Sequence, residues 1–331
     1  MRDNDQLKFG IFADLHVDIM HDGLSRLTMF LDTCSREQVD FIIQLGDFCY
    51  PDENRYVTCK TEKIPINVAN ALKSEPCKDK KEILRLFEEY PAPKYHVLGN
   101  HDMDFCSKGE MVRYLGCKDT YYSFDCKSFH FVVLDCNFFK VGERYYSYDH
   151  GNYFDYSHRE FPFLDEEQLC WLSRDLNQTE KPTVVFSHQS LNHELYGIKN
   201  EKKFGEILAE QKSRGKKILM CINGHNHIDN LVKVEDVFYF NLNSISNAWL
   251  GEEYATSRYG YEIDSQYPNI PYTAPYKDPI YAIITMDVSG LEVQGKESSF
   301  VGKAPYELGF PLSRTENKIT PKVSSFKIKV E

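Results

Sequence analysis

Lys94-Tyr95-His96-Val97-Leu98-Gly99-Asn100-His101-Asp102 decides the reading of this chain, because a short apolar run ends at a glycine and then delivers an amide, an imidazole and a carboxylate. Four more stretches repeat that design on either side of it. Lys8-Phe9-Gly10-Ile11-Phe12-Ala13 precedes Asp14-Leu15-His16, and Asp40-Phe41-Ile42-Ile43-Gln44-Leu45 precedes Gly46-Asp47. Further along, Pro182-Thr183-Val184-Val185-Phe186 leads to Ser187-His188, and Lys216-Lys217-Ile218-Leu219-Met220-Cys221-Ile222 leads to Gly224-His225-Asn226-His227. Short apolar runs flanked by polar or turn residues read as strands of a sheet covered on both faces. Side chains placed just past the carboxyl ends of such strands are where open α/β sheets hold their ligands. Glycines at 46, 99 and 224 are expected to let the backbone bend where a side chain must reach an ion.

The chemistry follows from the donor types. Imidazole and carboxylate together suit manganese, iron or zinc better than calcium, which prefers oxygen alone. Two ions about 3.5–4 Å apart can clamp the attacking and departing oxygens of an in-line displacement at phosphorus, which requires one shared carboxylate.

In order and in residue type the five stretches resemble the calcineurin-like metallophosphoesterases, whose pattern is Asp-x-His, Gly-Asp, Gly-Asn-His-Asp/Glu, a lone His, and Gly-His-x-His. All five lie within residues 14–227. The resemblance implies two packed mixed β-sheets flanked by helices, a four-layer α/β sandwich. It also implies two divalent or trivalent transition-metal ions (Mn, Fe or Zn). Asp14, His16 and His227 would hold one ion, Asn100, His188 and His225 the other, and Asp47 would bridge them. His101 would stand beside the metals as proton donor to the leaving oxygen or as a brace on the phosphoryl oxygens.

Each residue also has a plainer reading. Asp14 alone could cap a helix and His16 alone could be a core imidazole. Asp102 need not touch His101 merely because it follows it, and Asp18 reads as a helix-start or loop residue. Gly46-Asp47-Phe48-Cys49-Tyr50 also satisfies the Gly-Asp-x-x-Tyr pattern of purple acid phosphatases, whose tyrosine binds iron. Those enzymes lack a counterpart of His16, so His16 is the expected ligand and Tyr50 is expected to pack nearby or to touch substrate. The protein phosphatase branch fits worse, because its Asp-Arg-Gly signature does not follow Asp47 and Asp102 replaces its Glu.

Composition bounds the rest. With 331 residues and 42% hydrophobic content, the chain can bury a large α/β core. It has no Gly/Ser-rich or Pro-rich spacer, so a single domain over 1–331 is expected, with its core at about 7–300. The formal charge of −11, from 50 acidic and 39 basic residues, disfavours adhesion to nucleic acid or anionic lipid. Two bound cations would offset part of that charge locally, so a small phosphorylated substrate is compatible with it. None of the ten cysteines forms a Cys-x-x-Cys pair, which argues against a zinc ribbon or thioredoxin-like site. With no signal-like start and no long apolar run, a cytoplasmic location is the expectation. The residue pattern leaves oligomeric state open.

Leu24, Leu27, Phe30 and Leu31 predict a helix running to about Glu37, and Ile83, Leu86 and Phe87 another over 78–90. Residues 121–126 and 129–135 read as a hairpin, with His130 a strand residue rather than a ligand. Asp165 opens a helix carrying Leu169, Leu172 and Leu176, and 202–214 gives one more. Residues 237–242 and 281–288 read as strands. Two intervals stand apart: 143–163 with five tyrosines and two histidines, and 249–281 with seven tyrosines and four prolines. Both read as irregular loops that bind substrate, their aromatic faces stacking on a nucleobase and Arg144, Arg159 or Arg258 meeting phosphate. Their alternative reading is rim packing or a subunit contact.

The expected activity is hydrolysis of a phosphoric ester or anhydride by a metal-bridging hydroxide, on a small nucleotide-like diester or diphosphate. Phosphomonoester hydrolysis is the alternative. A nuclease is disfavoured by the acidic balance, and a catalytically silent, metal-stabilised interaction module would not need the full ligand set.

Overall fold

The computed structural model describes residues 6–48, 80–154, 160–192, 197–311 and 319–329. Tyr50 and Arg159 fall outside them. Two six-stranded mixed sheets form the frame. The first runs, edge to edge, Phe326–Lys329, Gly290–Gly295, Ala282–Asp287, Leu7–Phe12, Phe41–Gln44 and Lys94–His96. Its last three strands are parallel and the others antiparallel. The second runs Asn230–Val234, Val237–Asn241, Ile218–Asn223, Thr183–Ser187, Phe129–Val133 and Tyr122–Cys126, parallel except at its two edges.

The sheets pack face to face, as strands apolar on both faces require. Phe9, Ile11, Phe41 and Ile43 from the first meet Phe131, Val133, Val184, Phe186, Met220 and Ile222 from the second. Phe9 stacks on Phe41 with centroids 4.7 Å apart and meets Phe186 edge-on at 6.0 Å, so aromatic contacts join the layers. Helices Gly23–Glu37, Lys80–Glu88 and Lys108–Tyr114 cover the outer face of the first sheet through Leu27, Phe30, Ile83 and Met111. Helices Glu166–Gln178 and Glu201–Ser213 cover the second through Leu169, Leu172, Leu176, Phe204 and Leu208. The expected four layers are therefore present, and the first sheet continues past residue 300, with Val323 and Ile328 in the shared core.

The two tyrosine-rich intervals are not irregular. Phe138–Val141, Arg144–Ser147 and Glu160–Phe163 form a three-stranded antiparallel sheet. Asn247–Trp249 pairs with Thr273–Pro275, and a short helix, Tyr261–Gln266, lies between them. The cysteines at 34, 106, 117, 126, 136, 170 and 221 are free thiols. Among the described residues no helix is long and apolar enough to cross a membrane.

Candidate metal centre

Register brings the five stretches together. Phe12 lies level with Gln44, and Gln44 with His96, so Asp14, Asp47 and Asn100 leave adjacent strands of the first sheet side by side. In the second sheet Asn223 lies level with Ser187, which sets His188 beside the Gly224–His227 loop. The amides of Asp14 and His16 donate to the carbonyls of Gly46 (3.1 Å) and Asp47 (3.0 Å), joining the first two loops directly.

The side chains gather into two groups. Asp14, His16 and His227 form one, and Asp47, His188 and His225 the other. Asp47 Oδ2 lies 3.1 Å from His188 Nε2 and 3.6 Å from His16 Nε2, between the groups. Asn100 Oδ1 is 3.1 Å from His188 Nε2, which adds the amide to the second group. His101 stands at the rim: its ring is 5.6 Å from that of His16 and its side chain is 36% exposed, against 4% for His16 and 0% for His188.

The donor set fits cations. His227 Nδ1 donates to the Asn247 carbonyl at 2.8 Å and His188 Nδ1 to the Leu45 carbonyl at 2.7 Å, turning Nε2 of each ring inward. There the inward nitrogens converge: His16 Nε2 and His227 Nε2 are 3.2 Å apart, as are His188 Nε2 and His225 Nδ1. His227 Nε2 also lies 3.4 Å from Asp14 Oδ1. Where neither nitrogen of such a pair carries a proton, the approach is favourable only with positive charge between them. Burial opposes protonation of His188, yet the Asp47 carboxylate overrides it and lifts the imidazole to about 9. The same burial, with His188 close by, holds His225 down at about 3, in its neutral form.

The backbone is bent to make this arrangement. Asp14, His16, Asp47, His225 and His227 have φ of 56°, 50°, 51°, 66° and 49°, in the left-handed region where non-glycine residues are uncommon. Such conformations persist where surroundings over-determine them, typically at functional sites. Of the three glycines only Gly46 bends in this way, with φ of 97°. Gly99 and Gly224 are needed for room instead: a Cβ on Gly99 would lie 2.2 Å from the Asp47 nitrogen, and one on Gly224 would lie 2.7 Å from Asp14 Oδ2.

Several neighbours were not singled out in the sequence, or were given other parts. Asp102, fully buried, accepts from the amides of Gly99 (2.8 Å), Phe48 (2.8 Å) and Asp47 (3.1 Å), tying the two loops together. Burial and the Asp47 carboxylate push it up to about 7. Asp18 is a loop residue, the second of its two readings, and not a helix start; it faces His16 Nδ1 at 3.8 Å, and Asp22 precedes the helix. Asp104 Oδ2 takes a 2.8 Å hydrogen bond from His101 Nδ1. Burial opposes a charged His101, but the carboxylates of Asp104 and Asp47 raise it to about 10. Ser244 and Ser246 donate to the carbonyls of Asp14 and Leu15, each at 2.9 Å. Small polar residues directly after an apolar strand, as in Ser244-Ile245-Ser246-Asn247, are the signal that could have found this brace.

The phosphate-contacting arginines fare differently. Arg258 is buried and spends Nη1 on the carbonyls of Lys303 (2.6 Å) and Val301 (3.3 Å), so it braces its own segment. Arg144 is exposed on an edge of the three-stranded sheet. His130 is a strand residue, as expected, bound to Asp125 and Asp175.

The chain belongs to the calcineurin-like phosphoesterase family, whose model matches residues 7–229. Its fold is similar to that of a dimetal phosphatase from Danio rerio, with a TM-score of 0.59 and 15% identity over 90% of this chain and 99% of that one. It is also similar to GAP50, the anchor in the inner membrane complex of Plasmodium, with a TM-score of 0.52 and 13% identity over 99% and 90%. At these identities the likeness is one of fold. No curated protein matches the sequence.

Proposed function

We propose that this member of the calcineurin-like phosphoesterase family hydrolyses a small nucleotide-like phosphodiester or diphosphate at a binuclear centre. The observation that carries the reading is the placement of Asp47 Oδ2 between two His/Asp groups whose inward ring nitrogens converge to 3.2 Å within each group. Asp14, His16 and His227 would hold one ion, Asn100, His188 and His225 the other, with Asp47 shared. Two such ions, of manganese, iron or zinc, supply Lewis acidity at phosphorus and water ionised at about pH 7.

The chain's own groups do the rest. His101 keeps Nδ1 on Asp104, so Nε2 is the nitrogen left to meet the phosphoryl or leaving oxygen. Its exposure at the rim gives it access to a substrate that the buried histidines lack. The nucleotide preference rests on Trp249, 47% exposed on the strand whose Asn247 carbonyl holds His227. Two residues along a strand is about 6–7 Å, within reach of a base whose phosphate sits at the metals. Segments 143–163 and 249–281 would then shape the substrate site of one catalytic domain.

Manganese-dependent hydrolysis of bis-p-nitrophenyl phosphate against p-nitrophenyl phosphate tests the reading, with metal content measured alongside. Preference for the diester is the expected result, preference for the monoester makes the protein a phosphatase, and no metal-dependent turnover of either overturns the assignment.

A further inference from the structure

We infer that Tyr153 is a positioning residue whose single hydroxyl sets both the amide orientation of Asn100 and the aim of His101, coupling the three-stranded accessory sheet to one of the two metal positions. The inference rests on the ligand assignment proposed above.

Tyr153 lies in the short helix Asn152–Phe154, 4% exposed, between Tyr148 (ring centroids 4.5 Å) and Phe154 (4.4 Å). The loop that carries it is bound to the His101 segment through backbone alone, Gly151 N to the Met103 carbonyl at 2.9 Å and His150 N to the Cys106 carbonyl at 3.1 Å. The ring is therefore held from two sides before its hydroxyl does anything. That hydroxyl is 2.5 Å from Asp104 Oδ1, 3.2 Å from Asn100 Nδ2 and 3.2 Å from His101 Nδ1.

A phenol has one proton to give, and the shortest contact, to a carboxylate, takes it. The oxygen is then an acceptor, and the Asn100 NH2 is the donor that meets it. An amide held by its nitrogen must present its oxygen the other way, where Oδ1 lies 3.1 Å from His188 Nε2 in the second group. Among the described residues the hydroxyl is the partner shown for the Asn100 nitrogen, so its removal frees that end of the amide to turn. Asp104 is fixed by the same contact, with Oδ1 on Tyr153 and Oδ2 on His101 Nδ1 at 2.8 Å, so the imidazole is oriented through a carboxylate that cannot swing.

Tyr153→Phe keeps the ring stack and removes only the oxygen. Manganese titration followed by electron paramagnetic resonance, with kcat and KM on bis-p-nitrophenyl phosphate and the melting temperature, gives the readout. The variant should bind one of two ions about tenfold more weakly, the size of effect typical of an outer-shell partner. At saturating manganese kcat should stay about tenfold down with KM within about twofold, because His101 is also released. In a His16→Ala background, where the Asp14 group is broken, the remaining ion must still weaken when Tyr153 is replaced. Unchanged affinity together with unchanged kcat overturns the inference, and so does equal weakening of both ions with a lowered melting temperature, which marks a packing role. A wild type that binds two ions yet hydrolyses neither ester fails the proposed function and leaves this inference to the titration. A wild type that binds fewer than two overturns both.

Discussion

Two clusters of histidine and carboxylate sit at opposite ends of the second sheet, each built on a buried histidine. At the amino end, His130 is level with Thr183 and has both ring nitrogens satisfied, Nδ1 by Asp125 at 2.7 Å and Nε2 by Asp175 at 2.9 Å. Lys181 adds a second cation on Asp125 at 2.9 Å. At the carboxyl end, five residues further along the same strand, His188 Nε2 faces Asp47, Asn100 and His225, all of which offer lone pairs. Residue types alone do not separate the two clusters. Pairing does: in the first each ring nitrogen has its own carboxylate, whereas in the second several imidazoles converge on two carboxylates, an arrangement that the proposed cations would complete. Backbone strain divides them in the same way, since Asp47, His225 and His227 adopt positive φ and His130 does not.

That contrast is broken most severely at the carboxyl end. His101→Ala removes the group proposed to meet substrate and not the ions, so turnover should fall about 10²–10⁴-fold while metal content stays at the wild-type level. Loss of metal in step with activity would place His101 among the ligands instead. Gly99→Ala should come next. Its Cβ would lie 2.2 Å from both the nitrogen and Oδ1 of Asp47, so two ligand loops must move apart. Metal affinity is expected to drop about 10–100-fold, as for loss of an orienting contact. Stability should drop by about 1–3 kcal/mol, the usual cost of overpacking, with elemental analysis and thermal denaturation as the checks.

The same contrast explains what could be read from the chain. A ligand must be a particular residue type at the end of a particular strand, so Asp14, His16, Asp47, Asn100, His188, His225 and His227 announce themselves locally. The four layers follow from strands apolar on both faces alternating with amphipathic helices. Tyr153 acts on Asn100 and His101 through chain brought close only by folding, and nothing in its immediate sequence marks it, whereas Asp104 lies three residues from His101 but carries no residue pattern that singles it out. The strand Arg144–Ser147 escaped notice for another reason. Its residues alternate between exposed and half-buried, and Tyr145 and Tyr146 sit side by side, so no period-two apolar signal arises. Edge strand Asn230–Val234 is mostly solvated for the same reason.

At the rim, the comparison is sharpened by a residue that belongs to neither cluster. Trp249 is exposed and meets Tyr272 edge-on at 6.4 Å. Trp249→Ala should raise KM for a nucleotide substrate about two- to tenfold, the equivalent of losing 0.5–1.5 kcal/mol of stacking. Turnover and metal binding should not change. A matched p-nitrophenyl ester, lacking the base, should show a smaller rise, and an equal rise for both would mean that the ring packs the rim rather than reading a base.

The smallest effect, and the one that isolates hydrogen-bond satisfaction from residue type, is expected at the amino end. Burial works against a charged His130, but the Asp175 and Asp125 carboxylates outweigh it and raise the imidazole above its ordinary 6.5. A histidine raised on folding stabilises the folded state most fully below its unfolded value, and that contribution is lost as pH rises through the folded value. His130→Gln should therefore cost about 1.5 kcal/mol in mildly acidic buffer, the scale of one charge-assisted hydrogen bond. The cost should shrink as pH climbs past the raised value, while kcat and metal content match wild type throughout. Melting temperatures of the two proteins across that range decide it. A gap that widens with pH would mean that His130 is held neutral, and the two ends of the sheet would then differ in charge state rather than in satisfaction. A gap that narrows means that His130 is held charged by its two carboxylates, and the two ends then differ in how their imidazoles are paired.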